Sequence, residues 1–141
     1  MKSSIMLAAA LLVLAWVPAM RADDTLASTL EKVSQDQIAA FNRKDVAATM
    51  SYADTKSPTY DAAKDMLTKD FKIEDMKAEQ VSFQYIGHDD EFAYARVKVK
   101  VTAPGTKGFQ DNVTDNVTLF HQEGGTWKVW DTYLVGGQLE K

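Results

Sequence analysis

The chain has 141 residues, no cysteine and a formal net charge of −4. This length suits one small domain, and the lack of cysteine excludes both a disulfide framework and a lipid-modified cysteine. The acidic balance disfavours nucleic acid and anionic membrane surfaces as partners, because both require a basic footprint.

The first 22 residues have the pattern of a secretory signal peptide. Lys2 precedes an unbroken apolar run of 13 residues, Ile5–Val17, and small residues follow it. As a helix this run would extend only about 20 Å, too short for a hydrocarbon core of roughly 30 Å. We therefore expect cleavage after Ala22, or alternatively after Ala19, and a periplasmic or secreted protein. The other interpretation is an uncleaved N-terminal anchor.

Residues 23–141 are predicted to form a single domain, because they contain no repeat, linker or low-complexity tract. Without Lys2 and Arg21, the chain's 16 basic residues fall to 14 against 20 acidic ones, a formal charge of −6. This charge favours solubility and says little about function.

Helical spacing dominates the first half of this domain. Acidic residues at Asp23 and Asp24 favour a helix start there, and Asn42 to Lys44 mark the helix end. The predicted buried face of this helix consists of Leu26, Leu30, Val33, Ile38 and Phe41.

Two shorter helices are predicted to follow. Asp45 is the expected cap of a helix that runs through Met50 to Tyr52. Ser57 and Pro58 are the expected cap and first residue of a third helix, which ends near Thr68. The predicted buried residues of this third helix are Tyr60, Ala63 and Leu67.

The second half changes to a period of two, which predicts four strands joined by short turns. The predicted inward residues include Val81, Phe83 and Tyr85 in the first strand, alternate residues from Ala93 to Val101 in the second, and Val113, Val117 and Leu119 in the third. The last strand runs from Thr126 to Val135. Three helices followed by an antiparallel meander indicate an α+β fold with the helices on one face of the sheet.

Three stretches carry a resemblance to a known superfamily: Ile38–Val46, Tyr52–Asp54 and Gly124–Asp131. They resemble the helix corner and the closing hairpin of the nuclear transport factor two-like proteins. That group includes ketosteroid isomerase, scytalone dehydratase and polyketide-cyclase-like domains. The resemblance implies three N-terminal helices packed in the concave face of a curved four-stranded antiparallel sheet. It also implies a cone shape, a pocket at the open end, and dimerisation through the outer sheet face.

Candidate ligand-binding residues follow from strand alternation and from this resemblance. In the last strand, Asp131 and Tyr133 share a face with Trp127 and Val129, which the resemblance orients inward. The predicted inward set of the third strand continues to His121, and the helical residues Tyr52 and Tyr60 would face it. A His, an Asp and a Tyr in an apolar pocket could perform acid–base chemistry. The alternative is a hydrogen-bonded group at the rim with a structural role.

Other motifs give weaker indications. We assign no catalytic residue, and we predict neither a cofactor nor a metal, because metal-ligand spacings and phosphate-binding loops are missing from the sequence. His88–Glu91 is interpreted as a solvated turn. Asn112 and Asn116 begin glycosylation sequons and are predicted to point outward, as ordinary polar residues of a wet strand face.

Tyr94, Phe120 and Trp130 are predicted on the outer sheet face, where aromatic residues would suit a homodimer interface. The preferred function is a non-enzymatic domain that binds a small apolar or amphipathic ligand or associates with itself. The first alternative is a small isomerase, dehydratase or cyclase that uses Asp131, Tyr133 and His121. The second is a protein-interaction subunit whose pocket is filled by side chains.

Overall fold

The computed structural model describes residues 22–140, which form three helices followed by four strands. The strands are antiparallel and each one pairs with the next along the chain, so the sheet is a simple meander. The elements are α1 (Ala22–Asn42), α2 (Val46–Met50), α3 (Tyr60–Asp70), β1 (Lys77–His88), β2 (Phe92–Thr102), β3 (Asn112–Glu123) and β4 (Thr126–Leu139). The predicted α+β cone of three helices and a curved antiparallel sheet is confirmed.

The predicted signal peptide falls outside the described residues, apart from Ala22, with which α1 begins. Within residues 22–140, no helix combines the length and the apolar character that a membrane span would need.

Helix α1 lies across the sheet and is tied to β1 at both its middle and its end. Ser34 donates a hydrogen bond of 2.7 Å to the side chain of Gln80. The Asn42 amide exchanges two hydrogen bonds, each 2.8 Å long, with the backbone of Ala78. These bonds fix the helix against the strand and support the burial of Leu30 in the core.

Of the predicted starts of the two short helices, the first is confirmed and the second is wrong. Asp45 caps α2 as predicted, because its carboxylate accepts the Ala48 N–H at 2.8 Å. Helix α3 begins at Tyr60, however, and not at Pro58. The Ser57 carbonyl accepts the Tyr60 N–H at 3.1 Å, so residues 57–60 close a turn before the helix starts.

Irregular pairing in the two outer strands curves the sheet. The register of β2 with β3 is unbroken, whereas β1 and β4 each contain two β-bulges. The extra residues are Val81 and Ile86 in β1 and Trp130 and Val135 in β4. A bulge bends its strand and increases the local twist, so four bulges at the two margins wrap the sheet around the helices.

The main core lies between α1 and the middle of the sheet. Phe120 is fully buried and packs with Leu30 and three small residues of β2, Ala93, Ala95 and Val97. The β2 side chains leave space that the Phe120 ring fills. Phe83 packs beside it, with the two ring centroids 6.5 Å apart.

The predicted faces of β3 are wrong. Its inward residues are Asn116, Thr118 and Phe120, which pair with the inward residues Val97, Ala95 and Ala93 of β2. Phe120 is therefore a core residue and does not belong to the outer face. Apolar alternation misled the prediction because polar residues of β3 line the concave side of the sheet, whereas Val117 and Leu119 lie on its outer side.

Two further predictions of side-chain direction are corrected. Asn116 is buried rather than outward, and its amide donates to the Val97 carbonyl at 3.4 Å. Glycosylation at Asn116 would require this side chain to leave the sheet interior. Val81 is 53% exposed and does not face inward, because it is the extra residue of a bulge.

Candidate functional site

A groove opens at the wide end of the cone, between the concave sheet face and the three helices. Its larger lobe has a volume of about 520 Å³. Helical and strand residues give this lobe mostly apolar walls: Phe41, Met50, Met66, Leu67, Met76 and Val99. The methionines have flexible, polarisable side chains that adapt to ligands of different shape.

A smaller lobe of about 350 Å³ lies beside the first, between α3 and β4. The two lobes meet at five residues that line both of them: Gln37, Met50, Ala63, Met66 and Thr132. They therefore form one groove, which continues toward Tyr60.

The sheet wall of the larger lobe contains a ladder of polar residues from β3, Asn112, Thr114 and Asn116, beside Thr132 of β4. The Asn116 amide nitrogen donates to the Val97 carbonyl and, at 2.9 Å, to the Thr114 hydroxyl. A carbonyl can only accept, so this bond fixes the orientation of the amide. Among the described residues, no fully buried side-chain polar atom lacks a hydrogen-bond partner. Asn116 Oδ1 accepts no hydrogen bond from any of these residues, so this atom cannot be fully buried. Oδ1 is therefore accessible from the groove as an acceptor.

The five predicted ligand-binding residues do not lie together. Tyr60 and Asp131 line the smaller lobe, whereas Tyr52, His121 and Tyr133 line neither lobe. The predicted common face of Val129, Asp131 and Tyr133 is wrong, because the bulge at Trp130 reverses the alternation between Val129 and Asp131. Ligand binding by these residues stays a prediction.

Tyr133 instead lies on the outer sheet face, paired with Val117, and is 52% exposed. A side-chain hydrogen bond with Asp131 raises the pKa of Tyr133 above its ordinary value. This Asp–Tyr pair belongs to the margin of the sheet and leaves His121 in a different environment.

His121 contacts Asp54, a residue that the sequence did not single out. The Nδ1 atom of His121 lies 2.6 Å from Asp54 Oδ2, and Asp54 is fully buried. The other carboxylate oxygen of Asp54 accepts the Lys56 N–H at 2.8 Å. The rings of Phe92 and Trp130 pack against His121, with centroid distances of 5.2 and 5.1 Å.

Backbone bonds place Asp54 beside β4. The Asp54 N–H donates to the Val129 carbonyl, and the Val129 N–H donates to the Tyr52 carbonyl, both at 2.8 Å. Residues 52–54 thus run along β4 as a short parallel bridge centred on Ala53. The only sequence signal was that Tyr52–Asp54 formed one of the family-like stretches.

Glu123 completes this polar cluster at the tip of the β3–β4 hairpin. Its carboxylate accepts the Thr55 hydroxyl at 2.8 Å and also the Thr55 N–H. These bonds, with smaller contributions from a side-chain hydrogen bond with Asp54 and from the charge of Lys128, lower the pKa of Glu123 to about 2. Together, Asp54, His121 and Glu123 anchor the α2–α3 loop on the sheet, outside the groove.

Residues 32–135 match the family of the C-terminal domain of anti-sigma-I factor RsgI9. The chain belongs to this family. No curated protein sequence matches the chain.

Solved structures share the fold of this RsgI9 C-terminal-domain family member at low sequence identity. Rv3472 from Mycobacterium tuberculosis, of unknown function, is 10% identical, with a TM-score of 0.67 over 83% of this chain and 73% of that one. A proposed scytalone dehydratase from Novosphingobium aromaticivorans is 12% identical, with a TM-score of 0.64 over 83% and 89%. An NTF-2 like protein of unknown function from Shewanella oneidensis is 11% identical, with a TM-score of 0.59 over 76% and 96%. The fold is therefore that of the nuclear transport factor two-like proteins.

Proposed function

We propose that the chain is an exported, non-enzymatic domain that binds a small apolar or amphipathic molecule in the groove. The observation that carries this proposal is the larger lobe of about 520 Å³, which is polar along β3 and mostly apolar on its helical side, where Gln37, Thr49 and Asp70 are the polar exceptions. Small-molecule sites have volumes of about 300–1,000 Å³, apolar walls and a few placed polar groups. The groove has all three properties.

The two kinds of wall suggest how such a ligand would be oriented. Its apolar part would pack on Met50, Met66 and Met76, whose side chains adapt at little cost. A donor group on the ligand would reach Asn116 Oδ1, while the hydroxyl of Thr132 could donate or accept. An amphipathic molecule with one hydrogen-bonding end therefore suits the groove better than a purely apolar one.

We prefer binding to catalysis because the predicted acid–base group is divided. Asp131 borders the smaller lobe, whereas His121 bonds to Asp54 and Tyr133 is exposed on the outer face. Acid–base catalysis requires such groups within hydrogen-bond reach of one substrate. An isomerase, dehydratase or cyclase that uses these three residues would need a different arrangement.

The neutral dye Nile red provides a direct test, since its fluorescence rises in apolar surroundings. We expect saturable binding with one dye per chain. Ala63→Trp should weaken it at least about tenfold, or ~1.4 kcal/mol, because Ala63 lines both lobes and the indole would fill their junction. The matched control is Ala47→Trp, an exposed position of α2 that lines neither lobe.

Equal affinity in the two tryptophan variants, or binding that does not saturate, would remove the groove from the proposal. Circular dichroism of each variant verifies that the fold persists. The intact mass of the same preparation, made from the full chain, tests export separately: loss of residues 1–22 is expected, and a retained N-terminus would contradict cleavage.

A further inference from the structure

The β3 wall of the larger lobe offers a ligand an acceptor rather than donors. The Asn116 amide nitrogen uses its hydrogens on the Val97 carbonyl and the Thr114 hydroxyl. That hydroxyl donates its own hydrogen to the Val99 carbonyl at 3.3 Å. Asn116 lines the lobe and is only 9% exposed, yet its Oδ1 accepts no hydrogen bond from the described residues. A ligand group that reaches Oδ1 must therefore be a donor.

The charged residues of the groove are both acidic. Asp70 lines the larger lobe and Asp131 the smaller one. Among the described residues that line either lobe, none is a lysine, an arginine or a histidine. An anionic ligand would meet like charges and no cationic partner, whereas a cationic ligand would be attracted. The charge of the groove therefore selects against a ligand that ends in a carboxylate.

Asp70 is the carboxylate that is better able to interact with a ligand cation. Asp131 Oδ1 accepts the Thr132 N–H at 2.8 Å, and a side-chain hydrogen bond joins Asp131 to Tyr133. Asp70 is half-buried at the end of α3 and belongs to no salt bridge within residues 22–140. Its negative charge is therefore not neutralised by a direct ion pair in this part of the chain.

Lys44 is the neighbouring cation that could compete for Asp70, since the two charges attract through space. The Lys44 ammonium instead donates to the Met76 carbonyl and lies 5.0 Å from the centroid of the Phe41 ring. Lys44 lines neither lobe and forms no salt bridge with Asp70. The groove thus keeps its acidic character beside this lysine.

We propose that the ligand of the groove is a cationic amphiphile, an apolar chain or ring system that ends in an ammonium group with N–H donors. This inference rests on the proposed function and narrows its ligand class. The ammonium group would donate to Asn116 Oδ1, while the Asp70 carboxylate in the same lobe attracts its charge. The apolar part would pack on the methionine side of the lobe. An ammonium group supplies both the donor and the positive charge that these walls favour.

Three ligands with the same decyl chain separate charge from apolar character: decylammonium, decanol and decanoate. Isothermal titration calorimetry of the full chain, at neutral pH and low salt, measures each affinity below the concentration at which the ligand self-assembles. We expect decylammonium to bind at least about tenfold more tightly than decanoate, or ~1.4 kcal/mol, with decanol between them. Added salt should reduce this ratio, because it screens the charges.

Asp70→Asn removes the charge from the lobe and keeps the size of the side chain. We expect it to weaken decylammonium binding at least about threefold and to leave decanol binding unchanged. Asp65→Asn is the matched control, because Asp65 is an exposed residue of the same helix that lines neither lobe. It changes the net charge equally and should alter neither affinity. Ala63→Trp should weaken the binding of both ligands, since it fills the junction of the lobes.

Decanoate binding as tight as that of decylammonium would overturn this inference and leave the proposed function in place. An Asp70→Asn effect no larger than that of Asp65→Asn would do the same. Failure of all three decyl compounds to bind would also overturn it. In that case saturable binding of Nile red would still support the groove as a binding site, whereas absence of Nile red binding as well would reject the proposed function.

Discussion

Loss of the contact between His121 and Asp54 is expected to lower the free energy of unfolding. In His121→Ala, Asp54 would lose its contact with His121 and keep the Lys56 N–H as a donor while remaining fully buried. A buried polar atom that loses its hydrogen-bond partner costs about 1–3 kcal/mol, because its desolvation is no longer offset. The His121 side chain is 19% exposed, so water can partly replace it, but its ring contacts with Phe92 and Trp130 are also lost, and we expect a cost of about 2 kcal/mol.

Urea unfolding followed by circular dichroism at neutral pH measures this loss. His88→Ala is the matched control. The His88 side chain is 47% exposed, and its Nδ1 atom lies 2.6 Å from the Tyr85 hydroxyl near the end of β1. We expect the control to cost less than about 1 kcal/mol, as is usual for exposed positions.

A double-mutant cycle separates the pair from the packing of His121 on Phe92 and Trp130. In the His121→Ala background, Asp54→Asn changes a carboxyl group that has already lost its partner, so the double variant should lose less stability than the sum of the two single variants. We expect a coupling free energy of at least about 1 kcal/mol, which lies within the roughly 0.5–3 kcal/mol found for residues in one network. A His121→Ala variant as stable as the original chain, or a cycle that is strictly additive, would refute the assignment of this pair as an anchor.

Two further predictions concern acid stability and strand faces. Hydrogen bonds to Thr55 and Tyr94 lower the pKa values of Glu123 and Asp89 to about 2 in the folded chain, below the ordinary 4.5 and 3.8. Their contribution to stability is therefore complete above those ordinary values and is lost as the pH falls toward 2. Equilibrium unfolding should show this loss, with a smaller pH dependence in Glu123→Gln and Asp89→Asn; an unchanged dependence would contradict it. Phe120→Ala should cost about 3–5 kcal/mol and Leu119→Ala much less, because only Phe120 is buried in the core. If Leu119→Ala were the more destabilising of the two in urea unfolding, the strand faces predicted from the sequence would be correct after all.

The helices and the order of the strands were predictable because their signals are local. Asp45 lies where a helix cap is needed, and Gly124 with Gly125, at φ values of 60° and 80°, forms the two-residue hairpin turn that joins β3 to β4. A helix face or a turn is determined by residues close together in sequence. The start of α3 was misplaced by two residues because a turn and a first helical turn use the same residue types, here Ser57 and Pro58.

Strand faces were less predictable because they depend on pairing between distant residues. A bulge adds one residue to one strand and reverses every side chain beyond it, with no obligatory signal in that strand. The residues at Val81, Ile86, Trp130 and Val135 are all apolar, so in sequence they continue the pattern of a buried strand. The bulge at Trp130 alone moved Tyr133 out of the predicted pocket.

The bulges that mislead the prediction of strand faces also shape the groove. Bulges in β1 and β4 curve the margins of the sheet, and the curved sheet encloses the groove beside the helices. Removal of one bulge by deletion of Val135 should therefore straighten that margin of the sheet and reduce Nile red binding. A deletion variant that folds and binds Nile red as tightly as the original chain would show that this bulge is not needed to shape the groove.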